Sequence, residues 1–199
     1  MKNSVKLVGK GAEAKLKLAE FSGKLAVCKY RVKKSYRCAA LDESIRAKRT
    51  RNEAKVMREA QSNGVNTPLM LGVDEVGKKI YFTLIDGVVL EDKKTVSQKE
   101  IQECGQQLAK LHIAGIAHGD FTTSNVMSDG KSVFVIDFGL SEFSRKLEDQ
   151  ATDFLLFFKS VDEKKFEDFL YGYGKTAGEK QTKLVLDRMK KILSRGRNA

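Results

Sequence analysis

Apolar and polar positions alternate over residues 5–31: Leu16 and Leu18 alternate with lysines, Phe21 follows, and Leu25 and Val27 resume the alternation after Ser22-Gly23-Lys24. A period of two on either side of a Ser-Gly pair predicts a β-hairpin. From residue 41 to 64 the spacing predicts a helix, with Asp42 as its N-cap and Gly64 just past its end. Its apolar positions, Ile45, Val56, Met57 and Ala60, are sparse among Arg46, Lys48, Arg49 and Arg51. Residues 65–85 return to strand character around the only proline, Pro68, with a turn at Gly77-Lys78-Lys79. The apolar run 80–85 then meets Asp86-Gly87, where a hinge between two lobes is expected. Ser97-Gln98-Lys99-Glu100 is a capping-box pattern. It opens a helix carrying Ile101, Cys104, Leu108 and Leu111 that stops at Gly115. A short apolar strand covers 133–136, and an apolar run covers 154–158. Two further helices are expected around Phe166, Phe169 and Leu170 and around Leu184, Leu186, Met189, Ile192 and Leu193. Gly172, Gly174 and Gly178 mark the break between them, and residues 194–199 read as a flexible end.

Bulk composition changes this picture in one respect. With 41% hydrophobic and 32% charged residues over 199 positions, the chain is ordinary for a globular protein of one domain or two small lobes. No apolar run approaches the ~20 residues of a membrane span. Met1-Lys2-Asn3-Ser4 lacks the apolar segment of a secretory signal. Cys28, Cys38 and Cys104 are far apart and read as reduced thiols of a cytosolic protein, not a zinc site. The formal charge of +11, however, is concentrated. Residues 29–58 hold eleven Lys or Arg against three acids, and residues 183–198 hold six against one. Two separate basic concentrations favour a polyanionic partner over solvated helix faces.

The candidate chemistry centres on His118-Gly119-Asp120-Phe121-Thr122-Thr123-Ser124-Asn125, with Asp137-Phe138-Gly139 beginning twelve residues after Asn125. An Asp with an Asn five residues on, then a strand ending in Asp-Phe-Gly, is a phosphoryl-transfer signature. Such transfer needs an oriented nucleophile and neutralised phosphate charge. Asp120 is therefore the candidate catalytic base, while Asn125 and Asp137 supply hard oxygen ligands for Mg²⁺. Upstream, Gly9-Lys10-Gly11-Ala12-Glu13-Ala14 has the form of a glycine loop over phosphates, where missing side chains permit close backbone approach. Lys29 sits among apolar neighbours on a strand, either as a surface lysine of an edge strand or in the position of a lysine that pairs with ATP phosphates; the order of the motifs favours the second. Glu53, mid-helix, is placed either to hold Lys29 by an ion pair or to balance arginines on its own helix. Thr83 and Ile85, entering the hinge, complete the ATP-binding candidates. Asp153 either anchors the catalytic loop or caps a helix, the latter being the simpler expectation. The order of these elements predicts an α+β, minimal two-lobed protein-kinase-like fold. Its β-rich N-lobe would cover residues 1–86 and its helical C-lobe residues 87–199.

A family resemblance runs through Val27-Cys28-Lys29-Tyr30-Arg31-Val32-Lys33-Lys34-Ser35-Tyr36-Arg37, Arg49-Thr50-Arg51-Asn52-Glu53-Ala54, residues 118–125, Ile136-Asp137-Phe138-Gly139-Leu140-Ser141 and Arg195-Gly196-Arg197, the Lys34–Arg37 and Thr122–Asn125 segments being its most specific parts. The whole chain resembles the small atypical kinase subunit of the KEOPS complex, also called the p53-related protein kinase family. The resemblance implies a cytoplasmic, ATP- and Mg²⁺-dependent Ser/Thr kinase or ATPase. It also implies support of threonylcarbamoyladenosine formation on tRNA, with the threonylcarbamoyl-transferase subunit and other KEOPS subunits as partners. Four departures from ordinary protein kinases argue against efficient phosphorylation of free peptides. Gly119 stands where an Arg would read a phosphorylated activation loop, and Thr122 where many kinases place a γ-phosphate Lys. Residues 140–153 lack Ala-Pro-Glu, and Glu13 adds negative charge to the phosphate loop. The alternatives are a RIO-type kinase, a small-molecule phosphotransferase (for which residues 87–100 are too few to form an insertion), and a catalytically idle tRNA-binding scaffold.

Overall fold

The computed structural model describes residues 7–10 and 14–196. It divides into two units. The first comprises the described residues through Arg58 together with Pro68–Ile85; the second comprises Glu59–Thr67 and the described residues from Asp86 onward. A single boundary at residue 86 therefore omits one exchange. The segment Glu59–Thr67 belongs with the second unit, where the Asn66 amide donates to Gln107 Oε1 at 2.8 Å and Lys110 Nζ donates to the Gly64 carbonyl at 2.7 Å.

The first unit is a five-stranded antiparallel sheet of β1 (Leu7–Lys10), β2 (Ala14–Phe21), β3 (Lys24–Arg31), β4 (Met70–Asp74) and β5 (Lys79–Phe82), in the order β1-β2-β3-β5-β4. Ser22 and Gly23, both with positive φ, close the β2–β3 hairpin by the tight two-residue turn that matches strand twist. Strand β3 lies between β2 and β5, and from Ala26 onward it is buried at every position except Tyr30. Its alternation puts Val27, Lys29 and Arg31 on one face.

Helix α1 (Ala39–Ser62) begins earlier than the pattern suggested, and Asp42 is not its N-cap. Asp42 lies within the first turn, fully buried, where its carboxylate accepts from the Lys34 amide at 3.1 Å and from Arg46 Nε at 2.7 Å. The Arg46 guanidinium holds its carboxyl below the usual range. Sequence position alone suggested a cap; the fold uses the carboxylate to tie down the preceding loop. The other end follows expectation. Gly64 has φ +71°, its amide donates to Gln61 O at 3.1 Å, and the Val65 amide donates to Ala60 O at 3.0 Å, a Schellman termination. Thr50, Glu53, Met57 and Ala60 form the buried stripe of α1, and Lys48, Arg51, Lys55 and Arg58 form an exposed one.

The second unit opens with β6 (Val88–Val89) and a 3₁₀ turn at Leu90–Asp92. Helix α2 (Gln98–Ile113) starts at Ser97 with both arms of the capping box formed. Strand β7 (Ile116–Ala117) pairs with β10 (Glu142–Phe143), while β8 (Val126–Ser128) lies between β6 and β9 (Val133–Val135). Helices α3 (Leu147–Ser160), α4 (Glu163–Ala177) and α5 (Glu179–Gly196) complete the unit. Two expectations fail here. Gly172 and Gly174 lie inside α4, and only Gly178, with φ +83°, breaks the chain between α4 and α5. Glycine at 172 serves packing: a Cβ there would stand 1.8 Å from the Gln102 carbonyl oxygen of α2, and one at Gly105 of α2 would stand 2.1 Å from Phe169 O. The two helices approach backbone to backbone. Residues 194–196, expected to be flexible, continue α5; residues 197–199 are outside the described part.

The core of the second unit is aromatic. Phe121, Phe154, Phe157, Phe169 and Tyr173 are fully buried. Their ring centroids lie 4.3 Å apart for Phe157–Phe169, 4.7 Å for Phe154–Tyr173 and 5.6 Å for Phe121–Phe157. Because Phe121 directly follows Asp120, this core fixes the backbone beside the candidate base.

Candidate active site

In the first unit, the register places Lys29 opposite Leu16 on β2 and Ile80 on β5, in the middle of the sheet. Lys29 Nζ lies 2.5 Å from Glu53 Oε1. Of the two placements open to Glu53, the structure selects the ion pair with Lys29. Sequence reasoning missed a third member. Arg31, two residues along the same face of β3, brings its guanidinium to 2.5 Å from the other oxygen, Glu53 Oε2. All three side chains are buried. The signal was available, since residues i and i+2 on a strand share a face. Gly9 ends in strand β1, whereas Gly11 and Glu13 lie outside the described residues. Strand β5 stops at Phe82, so Thr83 and Ile85 belong to the segment after it. The Thr83 amide donates to Leu69 O at 2.9 Å and its hydroxyl accepts from the Leu69 amide at 3.0 Å, while Ile85 is half-buried.

In the second unit, Asp120, Asn125 and Asp137 are brought to adjoining backbone segments. Asn125 Nδ2 donates to both the carbonyl and Oδ2 of Asp120, each at 2.8 Å. The Ile136 amide donates to the Asn125 carbonyl at 3.0 Å, linking the loop to the residue before Asp137. Asp137 is exposed, has φ +60°, and accepts from the Gly139 amide at 3.0 Å. Asp and Asn tolerate that left-handed conformation better than other residues with a Cβ.

His118 is a packing and orienting residue. It is fully buried, with Nε2 at 3.2 Å from the Ile136 carbonyl and Nδ1 accepting from the Asp120 amide at 3.3 Å. A carbonyl facing one nitrogen and an N–H facing the other specify the neutral Nε2–H tautomer. Burial pushes its pKa down, in keeping with that form. Gly119 is obligatory for steric reasons: its φ is +77°, and a Cβ would stand 2.6 Å from the Leu140 carbonyl oxygen. An Arg at this position would meet that same backbone.

Asp153 overturns the simpler expectation for it. It lies mid-helix in α3, fully buried, and caps nothing. Its oxygens accept from the His118 and Gly119 amides, each at 2.8 Å, and from His112 Nε2 at 3.1 Å. The other His112 nitrogen, Nδ1, lies 2.9 Å from the Tyr173 hydroxyl. Burial, with the Asp153 charge second, pushes the Tyr173 pKa up, so the phenol keeps its proton. One residue from each of α2, α3 and α4 thus holds the loop. His112 and Tyr173 had no sequence signal beyond being apolar-face positions.

The donor set fits Mg²⁺ held jointly with phosphates. With Nδ2 committed to Asp120, Asn125 Oδ1 remains as a hard donor, and the Asp137 carboxylate follows the residue whose amide is bonded to the Asn125 backbone carbonyl. No group of three or more His, Cys, Asp or Glu able to hold a metal occurs among the described residues. Mg²⁺ is commonly bound by one or two protein oxygens plus substrate phosphates, and Asn125 and Asp137 provide that number.

Comparison with known proteins places these observations. No family model matches the chain. It is 36% identical over 211 residues to the KEOPS complex subunit Bud32 of Pyrococcus abyssi, covering 97% of this chain and 96% of that one. It is 37% identical over 198 residues to a probable bifunctional tRNA threonylcarbamoyladenosine biosynthesis protein of Methanobrevibacter smithii. That match covers 96% of this chain but 36% of the relative, so the chain spans about a third of the bifunctional proteins. Among solved structures, the Rio2 kinase–ADP/Mg²⁺–phosphoaspartate complex of Chaetomium thermophilum superposes with a TM-score of 0.60 at 16% identity, covering 95% of this chain and 70% of that one. At that identity the likeness is one of fold, and the fold is kinase-like.

Proposed function

We infer the activity from one premise: the chain belongs to the Bud32 family of KEOPS complex subunits. It is an atypical kinase or ATPase acting in threonylcarbamoyladenosine formation on tRNA, in company with other KEOPS subunits. Two observations, one in each unit, carry a catalytic reading against an idle scaffold: the formed Asp120–Asn125 pair of the second unit and the buried Lys29–Glu53 pair of the first. A scaffold has no use for a buried lysine held by a carboxylate, which is costly to desolvate.

Lys29, steadied by Glu53, contacts ATP phosphates, with Gly9, Gly11, Thr83 and Ile85 as further ATP-binding residues. Asn125 and Asp137 hold Mg²⁺, which when bound neutralises phosphate charge. Asp120 orients the attacking hydroxyl or water and accepts its proton, and Asn125 Nδ2 keeps that carboxylate in place. Work on tRNA implies a cytoplasmic protein. Separately, no described helix is long and apolar enough to cross a membrane. Asp120→Asn is expected to lower turnover by ~10²-fold or more while ATP affinity is nearly kept, as for removal of a general base. Steady-state kinetics with direct nucleotide-binding measurements check this. A variant that loses nucleotide binding yet keeps its rate at saturation contradicts the role.

The basic surface serves tRNA. Lys48, Arg51, Lys55 and Arg58 recur at steps of three and four along α1, all exposed, and span about 15 Å of helix. The Arg51–Glu75 pair, at 3.7 Å and well exposed, offsets little of this charge. Replacing these four residues by Ala is expected to weaken tRNA binding and lower the log–log salt slope by up to about 3.6, at ~0.7–0.9 for each phosphate no longer neutralised. Salt titrations of both proteins read this directly. Identical slopes assign the stripe to solvation alone.

A further inference from the structure

We propose that Arg31 is a positioning residue that latches Glu53, so that the Lys29–Glu53 pair stands assembled without an activation-loop switch. The proposal rests on the reading of Lys29 as the phosphate-contacting lysine. In regulated kinases the strand lysine and helix glutamate must be brought together, and activation-loop phosphorylation controls that step through the position of the helix. This chain cannot use that control. Gly119 occupies the place of the Arg that would read a phosphorylated loop, and the Leu140 carbonyl leaves no room for a side chain there.

The first unit provides a substitute. Glu53 presents its two oxygens to two cations on one strand, Oε1 to Lys29 and Oε2 to Arg31, each at 2.5 Å. Because both cations project from the same face of β3, moving α1 away from the sheet would break both ion pairs at once. The Arg31 amide is itself tied to the turn before β5 by a 3.3 Å bond to the Lys78 carbonyl. Further bonds fix the start of α1 to the same unit. Lys78 pairs with Glu43, and Asp42 accepts from the Lys34 amide in the loop leaving β3. With the carboxylate held from both sides, Lys29 on β3 faces a fixed partner rather than one carried on a swinging helix.

A double-mutant cycle of Arg31→Gln and Glu53→Gln, with Lys29→Met as reference, tests the latch on the full chain. Each variant is assayed for ATP KM and kcat and for its unfolding temperature. Arg31→Gln is expected to raise the KM for ATP by about 10-fold, and the double variant to be no worse than Glu53→Gln alone, because the latch acts on Lys29 through Glu53. Losses that multiply in the double variant, or an Arg31→Gln protein with native kinetics, overturn the latch. A purely structural role would lower the unfolding temperature and leave the KM of the folded fraction unchanged. If Arg31→Gln does not fold, Arg31→Lys takes its place in the cycle and the same non-additivity is required. Unchanged ATP binding in Lys29→Met would instead remove the underlying reading of the site, whereas a raised KM in Lys29→Met with an additive cycle removes the latch alone.

Discussion

Replacing Asp137 by Asn is expected to reduce Mg²⁺-dependent ATP turnover by at least ~10³-fold, about 4 kcal/mol of transition-state stabilisation. Asn preserves the shape and the left-handed backbone at φ +60°, and removes only the charge and one hard oxygen. Ala is the poorer test, because a Cβ without a polar side chain in that conformation adds ~1 kcal/mol of strain to the missing ligand. Asp137 is exposed, so the fold should survive Asn with an unfolding temperature close to the parent's. Turnover measured across a Mg²⁺ titration, together with thermal unfolding, separates the two effects. Near-native turnover at every Mg²⁺ concentration would sink the metal-ligand assignment of Asp137.

The second large effect is expected at Asp153, a residue that touches neither ATP nor metal in the proposed mechanism. Asp153→Ala leaves the His118 and Gly119 amides and His112 Nε2 without their common acceptor, in a fully buried setting. Losing the buried charged acceptor of three donors is expected to cost ~3–5 kcal/mol, a large share of a typical domain's stability. Denaturant titration should show the midpoint fall accordingly. Asp153→Asn is the milder companion. Its one oxygen can serve only one side, and its NH₂ meets an N–H donor on the other, so the loop bearing Asp120 shifts. Its kcat should drop while the KM for ATP is largely kept, because the ATP-contacting residues proposed in the first unit are untouched. An Asp153→Ala protein with an unchanged denaturation midpoint would contradict the anchoring role.

These two aspartates differ in how far the sequence could announce them. The placement of Asp137 was legible because it depends on near neighbours: an apolar strand delivers it, Phe138 and Gly139 follow, and it accepts from the Gly139 amide two residues away. The same holds for Asn125 and Asp120, joined across five residues, for the Ser97–Glu100 capping box, and for the glycine that ends α1. In each case bond partners are a few positions apart, so residue types and spacing suffice to specify the geometry. Asp153 bonds to residues 34, 35 and 41 positions away. Its neighbours in the chain offered only a helix start, and a cap was the reading that local rules allow. Asp42 misled in the same way, since its partners include the Lys34 amide, eight residues upstream in a loop without a periodic pattern.

Glycine shows the other boundary. As punctuation it is read locally and correctly at Gly64 and Gly178, where positive φ is needed. Inside α4, Gly172 is kept because the α2 backbone passes too close for any side chain, a fact held by a different helix 70 residues earlier. Arg31 stands between these cases. Its face was given by strand alternation, but its sharing of Glu53 with Lys29 required α1 to lie against that face at one rotation. Sequence by itself thus determined the elements and the chemistry whose partners are near in the chain. Only the tertiary structure decided which distant backbone amides, carboxylates and helix surfaces meet, because those meetings depend on packing that no local period encodes.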